Sequence, residues 1–260
     1  MAESRAILKI DDLYAGYGAG EVLSGVSFSI CEGETAALLG LNGSGKSTLL
    51  RAAMGLQDVH RGDTAVDGES VYAMTQRRRA KTISYIPQRS RLDEGVTVLE
   101  AVLMGANAQT PLLFSYSAAQ RRRARVCLEQ LGMQSLENRM IGTLSQGQRK
   151  LAVFARAMMQ QAKVFLLDEP DGALDLPRRY EIMGHVRRMA QADGCCALAA
   201  LHDASLALSL CDRVLILKEG RIACALDMRA AQEADVLAAM RLLYGDVKVC
   251  RAENRWAVLG

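Results

Sequence analysis

A glycine-rich stretch, GLNGSGKST from Gly40 to Thr48, carries the clearest chemical signal in the chain. It fits the pattern G-x-x-x-x-G-K-[ST], follows the apolar run TAALL and opens a helical pattern, which disfavours an incidental turn. Glycines let backbone N–H groups surround phosphate oxygens, and the positive end of the following helix adds attraction. Lys46 would reach the β- and γ-phosphates, and Ser47 would bind Mg²⁺. The candidate nucleotide-binding residues here are Gly40, Asn42, Gly43, Ser44, Gly45, Lys46, Ser47 and Thr48.

A second apolar run, KVFLLDE, ends in Asp168 and Glu169. Ligands of open α/β sheets bind beyond the carboxyl ends of the strands, which is where these two acids would stand. Asp168 suits a Mg²⁺-linked role, and Glu169 suits polarisation of an attacking water. The alternative is a pair of helix-capping acids. The phosphate loop in the same chain favours the catalytic interpretation.

Three further residues have a possible role and an ordinary alternative. His202 follows the run CALAAL and could hydrogen-bond a γ-phosphate or a water, although a lone histidine is more often a core residue. Gln88, in SYIPQR, could contact Mg²⁺ or water through its carbonyl oxygen and move with a loop. Tyr17 could stack on a nucleobase or pack on the core. His60 and His185 have no acidic or cysteine cluster around them, so no metal site is proposed there.

A second anion-facing helix start is indicated by LSQGQ, residues 144–148, which precedes the amphipathic stretch RKLAVFARAMM. A serine and a glycine before a helix expose N–H groups and the positive helix end. The candidate anion-binding residues are Ser145, Gly147 and Gln148. One chain therefore carries two helix starts that could face phosphate.

The scaffold that must position these residues is an α/β fold. Short alternating runs, AILKI and VLSGVSFSI, predict antiparallel strands near the N-terminus, whereas TAALLG, KVFLLDE and CALAALHD are unbroken apolar runs that suit buried parallel strands. RVLILKEGRIACAL predicts two strands joined by a turn at Glu219-Gly220. Between about residues 89 and 159 helical patterns occur without a convincing strand, which predicts a helical subdomain. The helical patterns cover residues 46–54, 121–131, 148–159, 178–190 and 204–210.

Composition excludes several classes of protein. The 260 residues are half hydrophobic and 23% charged, as in a globular domain, and the net charge of +3 is too small to indicate a nucleic-acid partner. No apolar run is long enough to span a bilayer, and the acidic N-terminal stretch does not read as a secretory signal, so we expect a soluble chain. Seven scattered cysteines, including the adjacent pair Cys195 and Cys196, predict reduced thiols in a cytoplasmic protein.

Taken together and in this order, the motifs resemble those of the nucleotide-binding subunits of ABC transporters. The resemblance implies that Tyr17 stacks on adenine, Gln88 is the Q-loop glutamine, LSQGQ is the signature and His202 is the switch histidine. GALD, residues 172–175, would be the D-loop with Asp175. Implied with these roles are ATP and Mg²⁺ as cofactors, with Ser47, Gln88 and Asp168 around the metal and Glu169, His202 and Gln88 as catalytic residues.

The family resemblance also implies an architecture. We expect a P-loop NTPase (RecA-like) core with a mainly parallel sheet, an N-terminal antiparallel β subdomain and an inserted helical subdomain. A single domain of residues 1–260 would contain the nucleotide-binding core (1–88 and 160–245), the helical subdomain (89–159) and a C-terminal tail (246–260).

The partners implied are a second copy in a head-to-tail homodimer, integral-membrane permease subunits and, indirectly, a substrate-binding protein, with no nucleic acid. Each ATP would lie between Lys46 of one chain and Ser145 and Gly147 of the other, at the cytoplasmic face of the membrane. TVLEAVLMG, LHDASLALSLCDRVLILKEGRI and LLYGDVKV are similar to ATPases that drive uptake of iron-siderophore, haem or cobalamin.

The chain departs from the family pattern in two places. Gln146 stands where a glycine is most common, while Ser145 and Gly147 are kept. Asp171-Gly172 replaces a threonine and a small polar residue, which affects the expected D-loop geometry.

Alternative functions are an ABC ATPase for another substrate or for export, and a soluble ABC-type ATPase acting on nucleic acid or ribosomes. The second usually has coiled-coil insertions or tandem cassettes, which this chain lacks. Arg77-Arg78-Arg79 and Arg121-Arg122-Arg123 could contact nucleic acid or lipid headgroups, but a solvated helix face is the better interpretation. A small-molecule kinase leaves LSQGQ and His202 without a role, and a hydrolytically dead subunit is disfavoured because Lys46, Asp168 and Glu169 are present.

Overall fold

The computed structural model describes residues 5–90, 92–108, 115–172, 174–253 and 255–260. Their strands are β1 (Ala6–Tyr17), β2 (Gly20–Cys31), β3 (Thr35–Leu39), β4 (Asp58–Val66), β5 (Glu69–Ser70), β6 (Ile83–Ile86), β7 (Val164–Asp168), β8 (Cys196–Ala200), β9 (Arg213–Lys218), β10 (Arg221–Asp227), β11 (Lys248–Ala252) and β12 (Arg255–Leu259). Their α-helices are α1 (Lys46–Ala53), α2 (Gln76–Thr82), α3 (Val98–Leu103), α4 (Ala118–Gln130), α5 (Gln146–Met159), α6 (Leu176–Asp193), α7 (Ala204–Leu210) and α8 (Glu233–Tyr244).

The central sheet has the order β10-β9-β3-β8-β7-β6, with β10 antiparallel to β9 and all other neighbours parallel. Every residue of β3, β7 and β8 is buried, because helices and the second sheet cover both faces. This explains why their sequences lack alternation. The register pairs Asp168 at the end of β7 with Ala200 at the end of β8, so the residues that follow both strands leave the sheet side by side.

An antiparallel sheet of order β2-β1-β4-β5 packs on one face of the central sheet. Leu8, Ile10 and Val26 share a core with Leu49 of α1 and Leu198 of β8, which places α1 between the two sheets. The predicted turn between β9 and β10 is present, with left-handed backbone at Glu219 (φ 50°) and Gly220 (φ 73°). The α/β fold with a mainly parallel sheet and an N-terminal antiparallel sheet is confirmed.

The helices α3, α4 and α5 follow β6 and precede β7 along the chain. Between these two strands, the described residues form no further strand. Each of the three begins with a capping box, at Thr97, Ser117 and Ser145. In a capping box the serine or threonine accepts a bond from the third helical N–H, while the side chain at that position bonds back. Because of these caps, α4 and α5 begin three and two residues earlier than apolar spacing predicted.

Several elements were not predicted: the short strands β5 and β6, the strand β4, helices α2, α3 and α8, and the hairpin β11–β12. The hairpin occupies the segment expected to be a tail and packs on α7. The Trp256 N–H donates to Ser209 Oγ (3.0 Å), the Val258 N–H donates to Ser205 Oγ (3.2 Å), and Trp256 is 6% exposed. Two serines one helical turn apart therefore bind one edge of β12.

The seven cysteines are free thiols, four of them buried. Within the described ranges, no helix combines the length and apolarity that crossing a bilayer requires.

Candidate functional site

The phosphate loop connects β3 to α1 and curls around its own lysine. Lys46 is 6% exposed, and its Nζ donates to the carbonyls of Gly40 (2.7 Å) and Leu41 (3.3 Å). Gly45 is left-handed (φ 103°), a conformation that glycine adopts without strain. Ser44 Oγ is buried and has no hydrogen-bond partner among the described residues. A buried donor without a partner, beside a folded-back ammonium, fits a loop built to receive phosphate oxygens.

Within the loop, Asn42 and Gly43 are exposed, whereas Thr48 is buried on α1. A β-carbon on Gly40 would lie 2.4 Å from Ser44 Oγ and 2.5 Å from the Leu217 carbonyl, so only glycine fits there. Burial lowers the pKa of Lys46, and the Glu169 and Asp168 carboxylates act in the opposite direction. The lysine is therefore close enough to both acids to interact with them electrostatically.

Asp168 lies at the carboxyl end of β7 and faces α1. Ser47 Oγ donates to Asp168 Oδ1 (3.0 Å), and the Tyr85 hydroxyl donates to Oδ2 (3.3 Å). Burial raises the pKa of Asp168, and these two hydrogen bonds act against that rise. A hydroxyl and a carboxylate side by side are the oxygen donors that Mg²⁺ prefers, so Ser47 and Asp168 fit the predicted metal role.

Glu169 follows β7 and contacts residues at the end of β8 and in the loop after β6. Its backbone is left-handed (φ 51°), and its N–H donates to the Ala200 carbonyl (3.0 Å). Gln88 Nε2 donates to Oε2 of Glu169, and His202 Nε2 lies 2.5 Å from Oε1. The adjacent ends of β7 and β8 bring Glu169 and His202 together, and Gln88 arrives from the loop after β6. Two of the predicted catalytic residues, Gln88 and His202, thus each contact the third, Glu169.

Ser145 and Gly147 of the LSQGQ loop face a cavity that neither Glu169 nor Gln88 lines. Ser145 caps α5: its Oγ accepts from the Gln148 N–H (3.3 Å), and its own N–H donates to Gln148 Oε1 (3.0 Å). A cavity of about 260 Å³ is lined by Ser145, Gly147, Gln148, Leu151, Leu174, Asp175 and Arg178, with no residue of the phosphate loop. The second anion-facing helix start is therefore open and separate from the phosphate loop of its own chain.

The D-loop borders that cavity. Asp175 caps α6 by accepting from the Arg178 N–H (3.0 Å). Leu174 is 7% exposed, Gly172 donates its N–H to the Glu169 carbonyl (3.1 Å), and Ala173 lies outside the described residues. Asp171, one of the departures from the family pattern, is buried.

Tyr17 stands apart from the Glu169 cluster. It ends β1 and pairs with Gly20 across the turn. Its side chain is 56% exposed, which excludes a core position and leaves the ring accessible to a ligand. Gln146, the replacement in the signature, lines a different cavity of about 630 Å³ together with Gln88, Glu94 and Lys150. Gln146 is exposed and does not line the Ser145 cavity.

The two arginine triplets lie on α2 and α4. Arg78 pairs with Glu69 (3.2 Å), and Arg79 donates to the Gly55 carbonyl (3.1 Å). These two members of the first triplet are thus used within the chain.

Comparison with known proteins places this arrangement in a family. Residues 23–172 match the ABC transporter family. The chain belongs to the ABC transporter family. The ABC ATPase is 36% identical over 212 residues to a probable metal transport system ATP-binding protein of Chlamydia muridarum, covering 81% of this chain and 80% of the relative. It is 35% identical over 230 residues to the phosphonates import ATP-binding protein PhnC of Escherichia coli, covering 84% and 88%.

A solved structure described as an inward-facing conformation of a putative metal-chelate type ABC transporter superposes with a TM-score of 0.80 at 24% identity, covering 98% of this chain and 97% of the other. That likeness shows the fold. This ABC ATPase is an ATP-binding and ATP-hydrolysing subunit of a transport system, with ATP and Mg²⁺ as its cofactors. Cassettes of the family dimerise and pair with membrane permease subunits in import systems.

Sequence reasoning missed two residues of the ABC ATPase site. Tyr85, in β6, supplies the second hydrogen bond to Asp168, and its position three residues before Gln88 was the available signal. Lys150, five residues after Ser145, reaches across to the Gly172 carbonyl. Nothing in the sequence alone pairs these two positions, because the contact depends on how α5 packs against the end of β7.

Proposed function

We propose that this ABC ATPase powers an importer of a metal chelate, with an iron-siderophore complex, haem or cobalamin as the cargo class, from the cytoplasmic face of the membrane. Residues 97–105, 201–222 and 242–249 are similar to the corresponding segments of uptake ATPases, which supports the cargo class. The relative named for metal transport supports it as well. Phosphonate, the cargo in the name of the other relative, is the second candidate.

The contact of Glu169 with both Gln88 and His202 is the observation that best supports the proposed role of Glu169 in ATP hydrolysis. Two donors hold the carboxylate at the end of β7, so Glu169 is positioned to accept a proton from a water that attacks the γ-phosphate. Lys46 would release its carbonyl partners and bind phosphate oxygens. Ser47 and Asp168, with Gln88, would hold Mg²⁺, which when bound neutralises developing charge on the phosphates.

The separation of the two anion-facing helix starts supports a head-to-tail pair. Ser145 Oγ uses a lone pair to accept from Gln148, which leaves its hydrogen to donate to a phosphate of the opposite chain. The Gly147 N–H, in the same open helix turn, would add a second donor. ATP would bind the closed dimer more tightly than the open one and so drive closure. Tyr17 would stack on adenine, and Asp175 would lie at the dimer interface.

We propose that a groove beside Gln88 receives the permease. It has a volume of about 380 Å³ and is lined by Tyr85, Met104, Asn107, Arg156 and residues of β6 and α5. Met104 is 37% exposed, and burial lowers the pKa of Arg156, which has no ion-pair partner within the described residues. An exposed apolar residue beside an unpaired guanidinium suits an amphipathic segment with a carboxylate.

We also propose the division into a core (1–88 and 160–245), a helical subdomain (89–159) and a tail segment (246–260). The position of α3–α5 between β6 and β7 supports it.

Transport in proteoliposomes tests the cargo. The ATPase would be purified with its membrane partner, and uptake of a ferric siderophore, haem, cobalamin and a phosphonate would be compared. ATP-dependent uptake of one of the first three supports the proposal. Uptake of phosphonate alone, or export of any of them, refutes it. Arg156→Glu should weaken the complex with the permease, with Arg221→Glu, at an exposed arginine of the edge strand β10, as the charge-matched control.

A further inference from the structure

Lys150 is a half-buried lysine on α5, the helix that Ser145 caps. Its ammonium points toward the loop that follows Glu169. Its Nζ donates to the Gly172 carbonyl, and a β-carbon built on Gly172 would lie 3.5 Å from Nζ. Within the part of the chain that the structure describes, this is the hydrogen bond by which α5 reaches the loop of residues 169–175, here called the catalytic loop.

Besides the contacts of Glu169 with Ala200, Gln88 and His202, the catalytic loop has hydrogen bonds at Gly172 and Leu174. The Gly172 N–H donates to the Glu169 carbonyl (3.1 Å), Arg179 Nε donates to the Leu174 carbonyl (2.8 Å), and Lys150 binds the Gly172 carbonyl between them. The first two bonds lie within the loop and its own helix α6. Lys150 alone of these three donors belongs to another element, so it relates the position of the loop to that of α5.

Packing also joins α5 to this loop, but at Leu174, where a β-carbon built on Gly147 would lie 3.6 Å from Leu174 Cδ2. Nearer Glu169 the two elements are separated. The cavity of about 630 Å³ separates the start of α5 from the loop that carries Gln88 and from Glu169, and Lys150 lies on its wall. Close-packed side chains hold elements at fixed distances, whereas an open cavity leaves the distance to a few polar contacts. Lys150 is therefore the polar contact through which a change in the position of α5 reaches the Glu169 end of the catalytic loop.

Charges around Lys150 strengthen this link. Burial lowers the pKa of its ammonium, and the carboxylates of Asp171 and Glu169 act in the opposite direction. Asp171 is 2% exposed, and its Oδ1 has no hydrogen-bond partner among the described residues. A buried carboxylate within the catalytic loop attracts a cation from α5.

We infer that Lys150 is a positioning residue that couples the two ATP sites of the dimer. Ser145, at one end of α5, faces the ATP of the opposite chain, whereas Glu169 acts on the ATP of its own chain. Lys150 joins the two through the Gly172 carbonyl, so the occupancy of one site sets the alignment of the base in the other. This inference rests on the proposed roles of Ser145 and Glu169.

The test compares Lys150→Met, Lys150→Arg and the control Lys163→Met in steady-state ATP hydrolysis. Lys163 pairs with Asp67 at the opposite end of β7, so its substitution removes a lysine ion pair without touching the catalytic loop. We expect Lys150→Met to lower kcat about tenfold, since small misplacements of a catalytic group have effects of this size or larger. We also expect the Hill coefficient for ATP to fall to one, with ATP binding to the isolated chain unchanged. Lys150→Arg should retain both kcat and cooperativity, because a guanidinium can donate to the same carbonyl.

Wild-type kcat and Hill coefficient in Lys150→Met would overturn the inference, as would an equal loss in Lys163→Met. If Lys150→Met does not fold, Lys150→Gln decides by the same readouts, because its shorter amide cannot reach the Gly172 carbonyl. Glu169→Gln is measured in parallel. Wild-type hydrolysis in Glu169→Gln together with lost cooperativity in Lys150→Met would refute the assignment of the base while the coupling through Lys150 stands.

Discussion

A mixture of two inactive variants tests the shared ATP sites directly. Lys46→Ala removes the ammonium of the phosphate loop, and Ser145→Arg places a bulky cation in the open cavity at the start of α5. In a mixed dimer, the phosphate loop of the Ser145→Arg chain meets the unchanged Ser145 of the Lys46→Ala chain, which rebuilds one complete site. The other site carries both defects. We therefore expect activity from mixtures of chains that are inactive separately.

The size of the recovery follows from the geometry. With random pairing about half of the dimers are mixed, and each has one intact site of two, so independent sites give about a quarter of the wild-type rate. Coupling through Lys150 would reduce this fraction. Ser145→Arg also removes a helix cap, since Ser145 Oγ accepts from the Gln148 N–H. That loss costs about 1 kcal/mol, against a typical total stability of about 5–15 kcal/mol, so the variant should stay folded.

The assay is phosphate release at saturating ATP with the two chains carrying different affinity tags, so that mixed dimers can be isolated and counted. Thermal unfolding of each variant gives the control for folding. Isolated mixed dimers with no more activity than the parent variants would refute the shared-site arrangement. It would then follow that the Ser145 cavity serves another anion.

Three further predictions concern the catalytic base, a buried acid and the strand that leads to the phosphate loop. Glu169→Gln should lower kcat about 10²–10⁴-fold while ATP still promotes dimerisation, measured by phosphate release and size-exclusion chromatography; hydrolysis at the wild-type rate would contradict it. Burial raises the pKa of Asp171 in the folded protein. Above this raised pKa the buried carboxylate is ionised, which lowers the free energy of unfolding. This loss of stability disappears as the pH falls below the pKa of an ordinary aspartate. Asp171→Asn should therefore raise the free energy of unfolding by about 1 kcal/mol near neutral pH and by progressively less in acid, and an increase that does not vary with pH would refute this origin. Arg213 pairs with Glu34 (2.9 Å), which is 5% exposed, so Arg213→Met should cost about 3 kcal/mol in denaturant unfolding, and Glu34→Gln in the same chain should recover part of it.

The sequence predicts those parts of the fold whose residues leave a local pattern. The fully buried strands β3, β7 and β8 are visible as apolar runs, and the motif at Lys46 fixes a strand, a loop and a helix together. The short strand β6 has four residues and owes its place to pairing with β7. The hairpin β11–β12 depends on two serines of α7, about fifty residues earlier in the chain. Such elements are stabilised by distant partners and carry little local signal.

Within the site, motif spacing finds Lys46, Asp168 and Glu169, because each ends or begins a recognisable element. The contact of Gln88 and His202 with Glu169 needs the strand order, in which β7 lies between β6 and β8. Tyr85 and Lys150 are found only by geometry, since neither belongs to a motif that implies its partner.

The strand order also constrains how the chain can fold as it is synthesised. β3, which leads into the phosphate loop, pairs with β8 and β9, and these strands begin about 160 and 180 residues later. A nascent chain therefore presents the phosphate loop on a strand with both edges unpaired until most of the polypeptide has been made. Distant pairing of this kind slows folding and leaves apolar edges open to aggregation. The ability to bind nucleotide should consequently appear late and abruptly during synthesis, when residues 196–218 become available, so a chain halted before them would be unable to hold ATP.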